Sequence, residues 1–185
     1  MSAVEDRIAN LLYPLTDFYA RSGAEAPRVE VIEGSAMPQP YRSLLVHDKD
    51  MTPTLEAYCG SPIHLDALQV RRTPKALYRQ VLLVPDGGGF PVEFGAIRIE
   101  LERFDGQARE LIAGCRKPLG AILRDFHVPH MSRPTAFFSV EPDAVIRKAL
   151  RLSGSAQLYG RHNVIRDDAG QVLAEVVEIL PPLAA

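Results

Sequence analysis

Residues 172–182, Val-Leu-Ala-Glu-Val-Val-Glu-Ile-Leu-Pro-Pro, form a run of strand-forming apolar residues interrupted by two acids. Side chains alternate faces along a strand. Leu173, Glu175, Val177 and Ile179 therefore share one face, and Ala174, Val176, Glu178 and Leu180 share the other. Neither face is polar enough to lie simply in water. At least one carboxylate is thus expected inside an apolar enclosure, where it needs a partner or a raised pKa. A ligand-site acid and a salt-bridged structural acid both give this pattern.

Immediately upstream, Leu158-Tyr159-Gly160-Arg161 opens a strand over 157–166, and Asp167-Asp168-Ala169-Gly170 turns it into the last one. Further strands are predicted at 63–72, 76–84, 91–102 and 134–141, with a short extended piece at 29–32. The Pro85-Asp86-Gly87-Gly88-Gly89 stretch reads as a hairpin connection. It lies between two strands and lacks both GxGxxG spacing and a following Gly-Lys-Ser/Thr, so no nucleotide site is read there. Helical spacing covers 3–20, with Pro14 as a break or kink, and 142–152; shorter helical segments are expected at 106–115 and from Pro118. Thr52-Pro53 predicts a helix start running to about Tyr58 and stopping at Gly60. No repeat or linker divides residues 1–185. The expectation is a single α+β domain: one antiparallel sheet of about five to seven strands with helices packed on one side.

Composition narrows the function. A formal net charge of −2 with dispersed arginines gives no case for a nucleic-acid partner. No apolar run is long enough to span a bilayer, and Glu5 and Asp6 stand where a secretory leader carries positive charge. Cys59 and Cys115 show no CxxC spacing and read as free thiols in a reducing cytoplasm. His127 and His130 have HxxH spacing, but Pro129 between them argues against a helix presenting both to one metal, so no metal is expected.

Arg79 is the second informative residue. In the strand 76–84 it shares a face with Leu77, Val81 and Leu83, and a guanidinium among apolar neighbours must meet a carboxylate because it cannot shed its charge. That carboxylate belongs either to a ligand or to a cross-strand acid among Glu93, Glu100 and Glu102. Two helix starts, near Thr52 and Pro118, add unpaired backbone N–H groups that favour an anion. Nothing nucleophilic stands out: there is no GxSxG motif and no cysteine with an evident histidine partner.

Four pieces in order resemble the chorismate lyase family. They are Asp50-Met51-Thr52 with Glu56; Tyr78-Arg79 with Val81-Leu82-Leu83; Pro118-Leu119-Gly120 with Leu123; and Leu158-Tyr159-Gly160-Arg161 followed by Gly170 and Val177-Glu178-Ile179-Leu180-Pro181. The resemblance covers about residues 41–182 and leaves the first 40 outside. It implies a single antiparallel sheet of about six strands with an enclosed ligand cavity, and a carbon–oxygen lyase that needs no cofactor and converts chorismate to 4-hydroxybenzoate and pyruvate. It also implies that Arg79 and the backbone amides of Met51 and Leu119 hold the ring carboxylate while Glu178 faces the ring hydroxyl end. For the second substrate carboxylate, Arg161, Arg133 and His130 are candidates, with Arg161 favoured for its place beside the last hairpin. Alanine follows Gly95 where family members carry arginine, and residues 127–134 match poorly. Two alternatives therefore stand beside the lyase: a non-catalytic binding protein for a small aromatic carboxylic acid, and a lyase-fold enzyme with another substrate. A partner-binding domain in which Arg79 pairs with Glu178 is a third. Regulator ligand-sensing domains share the fold; the absence of a helix-turn-helix in this sequence points away from that role.

Overall fold

The computed structural model describes residues 10–183. Seven strands form one open sheet: β1 (Val29–Ile32), β2 (Ile63–Arg72), β3 (Ala76–Pro85), β4 (Glu93–Glu100), β5 (Met131–Val140), β6 (Leu158–Arg166) and β7 (Val172–Leu180). Their spatial order is β1-β5-β6-β7-β4-β3-β2, with every neighbouring pair antiparallel. The last strand thus lies at the centre, and this explains its burial on both faces. The α+β class and the antiparallel sheet are as the sequence predicts; the seventh strand is the short piece at 29–32, which pairs with β5 at one edge.

Among the described residues there are six α-helices: α1 (Leu15–Ser22), α2 (Tyr41–Leu45), α3 (Met51–Cys59), α4 (Gly106–Gly114), α5 (Leu119–Asp125) and α6 (Ala144–Ala149). One-sided packing describes α2 to α5. The other two cover the opposite face, where Leu15, Phe18 and Tyr19 of α1 and Ile146 of α6 join Leu82, Phe94, Ala96, Phe138, Val177 and Ile179 in one core. On the first face, two adjoining cores are built from Val81, Leu83 and Leu180 under α2 and α3, and from Leu77, Ile97, Ile99 and Val176 under α4 and α5. The predicted helix over 3–20 lies partly outside the described residues; within them, the chain turns at Pro14 and resumes as α1.

Two boundaries differ from the sequence reading for definite reasons. Helix α3 begins at Met51, two residues before Pro53, with Asp50 at its N-cap. Proline then occupies the third helical position, where its missing N–H would have had no intrahelical acceptor in any case. Strand β5 begins at Met131 and runs through Pro134, because the pairing with β6 shifts register between Pro134 and Ala136. A bulge is one of the few places in a strand that tolerates proline.

Gly160 carries a packing constraint at the centre of the sheet. A Cβ there would lie 2.5 Å from the Glu178 carbonyl oxygen and 2.7 Å from the Phe138 ring, which is fully buried. Gly160→Ala is expected to cost about 1–3 kcal/mol through overpacking, read as a fall in the urea midpoint with an unchanged slope. An unchanged midpoint would show that Phe138 has room to move.

Candidate ligand-binding site

Register places the site. Residues directly opposite in neighbouring strands share a face. Arg79 therefore heads a row with Ile97, Val176 and Asn163, and the next row is Val81, Gly95, Glu178 and Arg161. A third begins with Leu83 and Glu93. Arg79 and Glu178 thus point to one side of the sheet, two strands and two residues apart. Their Cα atoms are roughly 12 Å from each other, by the ~4.8 Å strand spacing and ~3.3 Å rise per residue.

Over these rows lies a cavity roofed by the starts of α3 and α5. Its lining includes Arg79, Glu93, Asn163 and Glu178 from the sheet, Asp50, Met51 and Thr52 from the first start, and Pro118, Leu119 and Gly120 from the second. Between them stand aliphatic walls from Leu65, Val81, Leu83, Ile97, Ile165 and Val176. The cavity volume is ≈ 50 Å³, several times what a single water needs.

Arg79 is 1% exposed. Nη1 donates to the Lys117 carbonyl at 3.5 Å, and Nε has no partner. None of Glu93, Glu100 and Glu102 bonds it, so the cross-strand pairing open from sequence is not formed; the residue opposite is Ile97 on β4. Burial draws its pKa down, with the Cys115 thiol as a weak counterweight. An arginine so placed has strong donors and, among the described residues, no anionic group bonded to them.

Arg161 is the contrary case. It is fully buried, and its donors go to the protein: Nε to Glu178 at 2.5 Å, Nη1 to the Leu45 and His47 carbonyls at 3.1 and 3.0 Å, and Nη2 to the Lys49 carbonyl at 3.1 Å. It is outside the cavity lining, one strand beyond Glu178, and its bonds clamp the 45–49 segment, which leads into α3, onto the sheet. Of the residues singled out from sequence, Arg79, Glu178, Met51 and Leu119 meet in the cavity and Arg161 lies behind Glu178. Glu175 is half-buried, paired in register with Arg98 and not part of the lining. Arg133 is exposed and outside the lining.

Three polar groups that the sequence reading did not assign to the site also line it. Glu93 is buried beside Glu178, and one of its carboxylate oxygens has no partner. Gly95 makes this possible: a Cβ there would sit 3.2 Å from Glu93 Oε1 and 2.8 Å from the Val177 carbonyl, so the glycine leaves the space into which the Glu93 carboxyl folds. Burial, and then the charge of Glu178, push Glu93 far above the usual carboxylate range; Arg161 opposes this weakly. Burial also raises Glu178, against the pull of bonded Arg161. Asn163 turns its amide nitrogen to Ser132, at 2.8 Å, and leaves its carbonyl oxygen unpartnered. Asp50 bonds His130 Nε2 at 2.8 Å through one oxygen and leaves the other buried without a partner. A usable signal was present for Glu93: an acid and a glycine two apart at the head of an apolar strand.

His130 is held at both ring nitrogens, Nδ1 to the Val128 carbonyl at 2.7 Å and Nε2 to Asp50. Burial alone would lower its pKa, but the Val128 carbonyl and Asp50 together raise it above 6.5. A folded-state pKa above the unfolded value gives stability that is fully present below about pH 6.5 and is lost as pH rises through the folded value. The urea midpoint of the wild type should accordingly fall more steeply above about pH 6.5 than that of His130→Gln. Parallel profiles would remove His130 from the pH response. Among the described residues no group of three or more His, Cys, Asp or Glu is placed to hold a metal ion, and no helix is long and apolar enough to cross a membrane.

The fold has counterparts among solved structures. PhnF from Mycobacterium smegmatis superposes with a TM-score of 0.56 at 12% identity, over 74% of this chain and 65% of that one. The effector domain of the same protein gives 0.52 at 13% identity, over 71% and 88% of the two chains. The possible transcriptional regulator YydK from Bacillus subtilis gives 0.50 at 8% identity, over 66% and 62%. At such identities the likeness is one of fold. No protein-family model and no curated protein matches the chain.

Proposed function

We propose that this chain is a small-molecule-binding domain whose cavity receives a small carboxylate, an aromatic acid by the resemblance, without converting it. The observation that carries this reading is Arg79: it is a buried guanidinium that lines the cavity with no anionic partner among the described residues, and a ligand carboxylate would supply one. The starts of α3 and α5 supply unpaired amides beside it, at Met51 and Leu119. Aliphatic walls suit a flat ring. The superposition on an effector domain supports a binding role, and chorismate lyase chemistry has no such support from these folds.

A second reading, cofactor-independent elimination of pyruvate from chorismate, draws on Glu178. Its carboxyl stands across the cavity from Arg79 with a raised pKa, where it can orient a hydroxyl or move a proton. Aromatisation would supply the driving force, leaving the protein to position the substrate.

Two measurements on the purified chain separate the readings. A rise in melting temperature with 4-hydroxybenzoate, and no pyruvate from chorismate, supports binding alone. Release of 4-hydroxybenzoate and pyruvate in equal amounts, abolished in Arg79→Met, would overturn it in favour of the lyase.

A further inference from the structure

The charges around the cavity are unequal at its two ends. Three acids line it, Asp50, Glu93 and Glu178, against one cation, Arg79. Two basic side chains behind the lining are already engaged: Arg161 with Glu178 and three carbonyls, His130 with Asp50 and the Val128 carbonyl. At the far end from Arg79, Glu93 folds over Gly95 beside Glu178, and a carboxyl oxygen of Glu93 lies buried with no donor to meet it. The unpartnered oxygens of Asp50 and Asn163 add two further acceptors. One end of the cavity is therefore a cation waiting for an anion, and the other is a set of acceptors waiting for a donor.

Resting on the carboxylate-binding reading, we infer that the ligand is a monocarboxylate bearing a hydrogen-bond donor, best a protonated amine, at its far end, and that the cavity rejects a second carboxylate. A desolvated anion placed there meets the Glu178 carboxylate, whose own cation Arg161 is already engaged. An ammonium or hydroxyl placed there satisfies acceptors that otherwise stay unpaired, which is the condition under which a site discriminates strongly between ligands of one shape. The same asymmetry disfavours chorismate, which carries two carboxylates.

Three probes of similar outline test this by calorimetry: 4-(aminomethyl)benzoate, 4-ethylbenzoate and terephthalate. Each presents a benzoate to Arg79 and differs at the opposite end as cation, neutral group and anion. The amine should bind at least tenfold more tightly than 4-ethylbenzoate, and terephthalate should bind at least tenfold more weakly than it. Glu93→Gln and Glu178→Gln should each shrink the amine's advantage to a few-fold, while Arg79→Met weakens all three probes alike. Equal affinities in wild type, with dependence on Arg79 intact, would overturn the inference and leave the carboxylate reading standing. Affinities indifferent to Arg79→Met, or no binding of any probe to the folded chain, would overturn that reading as well.

Discussion

Arg79→Met should make the ligand-free chain more stable and its cavity unable to hold a carboxylate. The substitution nearly preserves volume and removes a charge that is 1% exposed and lacks an anionic partner. Replacing buried ions by apolar residues of similar size is often neutral or stabilising by about 1–4 kcal/mol. For a chain of this length each kcal/mol amounts to about 2–4 °C in melting temperature. Affinity for benzoate should move the other way, by about 2–5 kcal/mol, because the ligand's desolvated carboxylate loses its charged partner. Arg79→Lys should keep the charge, lose the two-pronged donor geometry and recover only part of the binding. Paired melting and calorimetric measurements on the two variants check this. A destabilised Arg79→Met with undiminished benzoate affinity would make Arg79 a structural residue.

Arg161→Met is predicted to be the most destabilising change at the site, although it concerns the same two residue types. Here the guanidinium is satisfied: one carboxylate and three main-chain carbonyls receive its donors. Removing it strands Glu178 in a wholly buried position already shared with Glu93, and breaking a buried pair in this way costs about 3–5 kcal/mol. It also releases the carbonyls of Leu45, His47 and Lys49, so the start of α3 should loosen over the cavity. The double variant Arg161→Met with Glu178→Leu should regain at least half the loss, since no uncompensated charge is then left inside. Denaturant titrations of the two single variants and the double close the cycle. Strictly additive losses would show that Arg161 acts through the 45–49 segment alone.

Why identical side chains carry opposite expectations was not legible from the residues one by one. Alternation along β3 showed that Arg79 faces apolar neighbours, but the choice between a ligand and Glu93, Glu100 or Glu102 depends on strand register. Register puts Ile97 opposite it. In the same way, nothing in Leu158-Tyr159-Gly160-Arg161 indicates that three carbonyls from 45–49 converge on Arg161, because that contact spans more than a hundred residues. Helix packing on the second face was also illegible: α1 and α6 lie far apart in sequence, and the apolar stripe of each fits a core on either side.

The sequence by itself determined the strands, their antiparallel class and the presence of enclosed charge, because side-chain period and the cost of burying ions are local properties that a short run of residues displays. It also brought Arg79, Glu178 and the two helix starts into view as one set. The tertiary structure alone decided which charges are already partnered. It gave Arg161 to Glu178, moved Glu93 from a suspected partner of Arg79 to the companion of Glu178, and left Arg79 open to the cavity. Pairing between distant charges depends on a few ångströms set by sheet order and register, and no local pattern encodes those distances.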